Sequence, residues 1–114
     1  MTGAARPPAG AVLPDDVNFY HRTSLFTETS IPSKLLAAHS TKAGVWGLIR
    51  VIDGALLYRV EDPRRPPSTR LLTAGEAPGV IEPTILHSVE PQRSVRFYVE
   101  FYRRDGGGRS EATS

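Results

Sequence analysis

His39-Ser-Thr-Lys-Ala-Gly-Val-Trp-Gly-Leu-Ile-Arg-Val-Ile-Asp-Gly54 is the stretch on which the reading of this chain turns. It joins a histidine, a glycine-containing loop, a run dense in β-branched and aromatic residues, and the dipeptide Asp53-Gly54. Asp-Gly suits a two-residue type I′ turn, which needs positive φ at both central positions. The sequence therefore predicts a hairpin in which Val45 to Ile52 folds back onto Ala55 to Glu61. Pairing Ile52 with Ala55 sets Val51 against Leu56, Ile49 against Tyr58 and Gly47 against Val60, an almost wholly apolar face that belongs in the core. The opposite face carries Trp46, Leu48, Arg50, Ile52, Ala55, Leu57 and Arg59. That is more apolar than a sheet face in water, so a homodimer built partly on Trp46, Leu48, Ile52 and Leu57 is expected.

Working outward, residues 1–14 are Ala-, Gly- and Pro-rich without periodicity and read as a flexible arm, because too little apolar surface is present to offset the entropy of ordering them. Val17 to Phe26 has the β-former content of a first strand and contains His21. Leu35 to His39 reads as a short strand, although Ser33 to Ala38 tolerates one helical turn. Asp62-Pro-Arg-Arg-Pro-Pro67 reads as an exposed connection, since proline offers no ladder donor. Ser68 to Thr73, Val80 to Pro83 and Ile85 to Val89 are further strands, and a turn is expected at Pro91 to Arg93. Ser94 to Tyr102 then alternates, with Val95, Phe97, Val99 and Phe101 on one face and Arg96, Tyr98, Glu100 and Tyr102 on the other. Residues 105–114 read as a disordered tail. Seven or eight short strands without an amphipathic helix make residues 15–104 one all-β domain, a sandwich or barrel.

At 114 residues the chain is large enough for a single core without staples. It has no cysteine, which excludes thiolate metal sites, disulfides and cysteine nucleophiles. The formal net charge is +2, with arginines scattered rather than gathered between aromatics, so nucleic acid is not the expected partner. There is no apolar run long enough for a membrane helix and no secretion signal, and the expected location is cytoplasmic without membrane attachment.

Two blocks carry a family resemblance: His39-Ser-Thr-Lys-Ala-Gly-Val-Trp-Gly47 leading to Gly54, and Ile81-Glu-Pro-Thr-Ile-Leu-His-Ser-Val-Glu90 followed by Phe97-Tyr-Val-Glu-Phe-Tyr102. From about Val17 to Arg103 the chain resembles the small cupins of the TehB/YeaR-like family. The resemblance implies a cupin-type double-stranded β-helix, or jelly roll, whose two sheets enclose a pocket. It also implies an association with tellurite resistance. Some members carry this module ahead of a methyltransferase domain, for which 114 residues leave no room.

Cupins hold a metal with histidines and a glutamate from a first motif and a histidine from a second. By resemblance, His39 occupies the first position and His87 that of the second motif, while Thr41 stands where another histidine would be and Gly47 where the glutamate would be. His39 and His87 are the candidate ligands for one divalent transition metal (zinc, nickel, iron or copper), because paired imidazoles suit these ions better than magnesium or calcium. Glu82 and Glu100 are candidate third ligands. Lys42, Tyr58 and Tyr98 are candidate pocket residues, and His21 has no partner signal. Three functions stay open: a metal-binding cupin for a small molecule or oxyanion, a metal-free binding module, and a metal-dependent oxygenase or isomerase. No acid-base pair can be read from the sequence, and catalysis is left undecided.

Overall fold

Two strands in this protein are far longer than the usual five or six residues, and their length dictates the architecture. The computed structural model describes residues 12–104. Six strands are formed: β1 (Val17–Arg22), β2 (Phe26–Thr27), β3 (Trp46–Val60), β4 (Ser68–Thr73), β5 (Gly79–Ile81) and β6 (His87–Arg104). β3 and β6 run antiparallel along almost their whole lengths, from Trp46 opposite Tyr102 to Val60 opposite His87. β5 flanks the first half of β3, and β4 flanks the second. β1 and β2 flank the C-terminal half of β6. Among the described residues no helix is long and apolar enough to cross a membrane.

The expected hairpin at Asp53-Gly54 is not formed. Gly54 does adopt positive φ, 81°, but it uses that freedom in a bulge inside the continuous strand β3. The ladder slips between Val51 and Asp53 and again between Gly54 and Ala55. The turn expected at Pro91 to Arg93 is likewise a bend, inside β6, with Arg93 at φ 69°. The two turn signals lie opposite each other, so both strands bend together and the ladder folds over as a unit. Among the described residues six strands result where seven or eight were expected. The segment after Pro32 also departs from expectation, forming a single 3-10 turn at Ser33–Leu36 rather than a strand.

Folding at the bend creates two layers with one core between them. Ile49, Ile81, Phe97 and Val99 come from one layer, Leu56, Tyr58, Leu72 and Val89 from the other, and Val95 from the bend. Full burial of a side chain such as Phe97 contributes about 1.5–3 kcal/mol. The layers meet closely at Gly79, where a Cβ would lie 2.8 Å from Leu72 Cδ1. Tyr58 crosses the same gap and donates its hydroxyl proton to the Val80 carbonyl at 2.9 Å.

The fold also separates the residues of the expected dimer face. Leu48 is buried, Trp46 and Leu57 are half-buried, and Ile52, displaced by the bulge, is 47% exposed. Because the inner faces of the two layers oppose each other, Trp46 and Leu48 look outward from one layer and Leu57 from the other. The four do not form one contiguous patch. The described structure is thus a single small all-β domain, dominated by one antiparallel sheet folded on itself.

Candidate functional site

His39 and His87 are cross-strand neighbours. The His39 amide donates to the His87 carbonyl at 2.9 Å and the His87 amide donates to the His39 carbonyl at 2.8 Å, a reciprocal antiparallel pair. Residues paired in this way project their side chains to the same side, and the two imidazoles lie edge to face with ring centres 5.5 Å apart. The next link, Thr41 with Pro83, runs parallel and includes a bond from the Thr84 amide to the Thr41 carbonyl. Two loops far apart in sequence are thereby laced together where β6 begins.

His87 is only 2% exposed, as the alternation of Ile85, His87 and Val89 predicts. Its Nδ1 lies 3.1 Å from the Ile85 carbonyl. A carbonyl can only accept, so Nδ1 carries the proton in the neutral ring and Nε2 is left as a bare lone pair. Every fully buried side-chain nitrogen and oxygen among the described residues has a partner. Nε2 has none among the described residues, so it faces accessible space. Burial lowers the His87 pKa below the ordinary imidazole value, partly opposed by the Ile85 bond, with His39 adding to the lowering. Burial, followed by the charge of Lys34, lowers that of His39 as well. Both rings are held neutral, the form that can ligate a metal.

Tyr58 completes the cluster, its ring centre 5.9 Å from that of His87. Desolvation raises its pKa far above the usual phenol value, so it stays protonated and committed to Val80. Two acidic residues outside the sequence-derived set also belong here. Glu61 accepts the Ser88 hydroxyl at 2.7 Å and lies close enough for its charge to act on His87. Asp62, expected in an exposed connection, is instead 3% exposed and accepts bonds from both Arg64 and the Leu86 amide. A local signal for it exists in the sequence. Asp followed by Pro favours a turn in which the carboxylate takes the amide two residues on, and Arg64 N does donate to Asp62 Oδ1.

The other candidates are not gathered around the histidines. Glu82 lies near Tyr58, on which its charge acts, but both its oxygens are taken by Arg65 at 2.9 Å. Glu100 sits opposite Leu48, at the other end of the β3–β6 ladder from the Val60–His87 pair, and accepts from Arg50 and the Tyr102 hydroxyl. Lys42 is exposed on its loop. Tyr98 borders a separate cleft of about 250 Å³, with Arg50, Leu72, Thr73 and Glu76, where β4 and β5 leave part of the β3 edge uncovered. A larger cleft of about 690 Å³, along Val60 to Pro63 and Pro67 to Thr69, does not reach the histidines either. His21 is exposed and stacks on Phe101.

Two nitrogen ligands are therefore available at this site. Among the described residues no third His, Cys, Asp or Glu joins them. The ring separation suits one ion: with metal–nitrogen bonds of about 2.0–2.1 Å, two imidazoles on a tetrahedral metal have ring centres roughly 5 Å apart. Gly47, which resemblance puts at the glutamate position, is buried with its would-be Cβ 3.0 Å from Ile81 Cδ1, so Ile81 fills the volume a glutamate would need. Thr41 uses its hydroxyl to bond the Val45 carbonyl at 2.7 Å, closing the loop behind His39.

Comparison with known proteins bears on the fold and the family. The TehB-like domain profile matches residues 21–99. No curated protein matches the chain significantly. Among solved structures, TehB from Haemophilus influenzae aligns with a TM-score of 0.72 at 22% identity, over 79% of this chain and 32% of that one. The chain thus spans about a third of the length of that TehB. A protein from Escherichia coli strain K12 aligns with a TM-score of 0.73 at 22% identity, over 83% of this chain and 98% of that one.

Proposed function

This chain belongs to the TehB-like domain family, and from that membership and the paired imidazoles we propose that it is a cupin-type barrel that binds a small molecule or oxyanion at a divalent metal held by His39 and His87. One observation carries the reading: two neutral imidazoles, side by side on adjacent backbone segments, with the bare Nε2 of His87 facing accessible space. The bent β3–β6 ladder, closing two layers on one core, supports the barrel. A transition ion suits two nitrogen ligands, and with only two from the protein it keeps coordination positions for water or an oxyanion. The ion would supply positive charge to that ligand. Family membership suggests that the ligand belongs to tellurite or related oxyanion stress.

The test is calorimetric titration of nickel and zinc into the wild type, His39→Ala and His87→Ala. One equivalent bound by the wild type and lost in both variants is expected. No uptake by the wild type, or equal uptake by all three, overturns the metal reading. The second reading, a metal-free binding module, is favoured by the arginine partners of Glu82 and Glu100 and by Ile81 filling the space beside Gly47. We also propose that the domain works as a homodimer in the cytoplasm. Sedimentation at micromolar concentration should report twice the 12.4 kDa chain mass, and a monomer would refute the dimer.

A further inference from the structure

Asp62 is an acidic residue with its side chain 2% exposed, bonded to the backbone amide of Leu86 next to His87 and assigned no part in binding so far. Each of its oxygens accepts twice. Oδ1 takes the Arg64 amide and Arg64 Nε, both at 2.8 Å, and Oδ2 takes Arg64 Nη2 at 2.7 Å and the Leu86 amide at 3.0 Å. Arg64 reaches onward with Nη2 to the Thr84 carbonyl at 2.7 Å. The neighbouring Glu61 amide holds the Leu86 carbonyl at 2.9 Å. The Glu61–Arg64 segment therefore grips Thr84 and Leu86, the residues on either side of Ile85.

These grips matter because β6 begins only at His87, so the sheet ladder does not set the direction of the Ile85 carbonyl. Thr84 has φ 66°, a left-handed conformation that a β-branched residue adopts only when its surroundings impose it. The imposing contacts are the Arg64 bond to its carbonyl and its own amide bond to Thr41. We propose that Asp62 is a positioning residue for the histidine site: through Arg64 and the Leu86 amide it holds the 84–86 backbone so that the Ile85 carbonyl captures His87 Nδ1–H and leaves Nε2 bare toward the ligand. Outer partners of this kind orient a ligating imidazole and select its tautomer. The consequence for ligand affinity rests on the metal-binding reading above; the tautomer does not.

The experiment is nitrogen-15 NMR of the histidine rings at mildly alkaline pH, on the wild type, Asp62→Asn and Arg64→Gln. An amide at position 62 can accept at one oxygen only, so one pair of the four donors loses its acceptor. Arg64 is largely exposed, and Arg64→Gln removes the onward grip on Thr84 while keeping both backbone amide bonds to Asp62, which gives a second variant should Asp62→Asn fail to fold. The wild-type His87 ring is expected to be protonated at Nδ1, and the folded variants to show mixed Nδ1 and Nε2 protonation. Nickel affinity, measured in parallel, should fall by about 10-fold or more. Variants that melt earlier yet keep the wild-type tautomer overturn the proposal, since Asp62 would then only stabilise the loop. A tautomer change in a protein that takes up no nickel upholds the positioning role and refutes the metal reading instead.

Discussion

Gly54 and Gly75 share almost the same backbone conformation, φ 81° and 84°, but differ in what a side chain would meet, so Gly→Ala at each separates two causes of destabilisation. At Gly75 an added Cβ has nothing within 4 Å. The cost there is the left-handed conformation of an L-residue, about 1–2 kcal/mol, reduced by the smaller entropy of the unfolded alanine chain, about 0.4–1 kcal/mol. Gly75→Ala should therefore destabilise by about 1 kcal/mol. At Gly54 the same Cβ would sit 2.0 Å from the Ser94 carbonyl oxygen and 2.9 Å from Val95 Cα. Neither contact is a flexible side-chain end, so β3 and β6 must separate at the bend. Overpacking of this kind adds about 1–3 kcal/mol, and a weakened ladder bond about 1 kcal/mol more. Gly54→Ala should cost about 3–5 kcal/mol in total. For a domain of this size 1 kcal/mol shifts Tm by about 4–8 °C. Thermal unfolding followed by circular dichroism should thus show a loss of a few degrees for Gly75→Ala and of about 15 °C or more for Gly54→Ala. If the two variants melted within a couple of degrees of each other, the bend would not depend on close approach of the two backbones, and the account of how the sheet folds over would fail.

Tyr58→Phe removes the bond that joins the two layers and leaves the Val80 carbonyl without its donor, so a loss of about 1–2 kcal/mol is expected in urea unfolding; an unchanged midpoint would mean the bond contributes nothing. Stability should fall on acidification, because burial holds the pKa of His39 and His87 below the unfolded value of about 6.5 and the unfolded chain then binds protons first. Above pH ~6.5 both states are neutral at these rings and Tm should be flat on their account; below it Tm should drop until the folded rings themselves titrate. His87→Gln should flatten that decline, and a variant with the wild-type pH profile would refute the assignment. Asp62 acts in the same sense at lower pH: Arg64 holds its carboxyl well below the usual range, so its contribution declines as pH falls below the unfolded carboxyl value of about 3.9 and is gone in strong acid.

The alternation of Val95, Phe97 and Val99, and of Ile49 and Val51, was enough to assign an all-β chain and to sort inner from outer faces, because strand periodicity is local and each burial choice repeats every second residue. The inward placement of His87 followed from the same alternation. Asp53-Gly54 and Pro91 to Arg93 were legible as places where the backbone departs from regular strand, since positive φ is a property of the residue. Whether positive φ reverses a chain or bends it depends on which partner strand lies alongside, and β6 is distant in sequence from β3. Only tertiary structure could turn two hairpin signals into one shared bend, and with it send Trp46 and Leu57 to opposite sides of the molecule. The histidine pair was accessible from the sequence only through family resemblance, because nothing local links residue 39 to residue 87. The folded chain also decided what surrounds them. Arginines engage Glu82 and Glu100, Ile81 fills the space beside Gly47, and Asp62 turns inward because donors from Arg64 and Leu86 converge on it. The Asp-Pro turn discloses the local bond from the Arg64 amide, but the donor from Leu86, 24 residues on, is set by three-dimensional proximity.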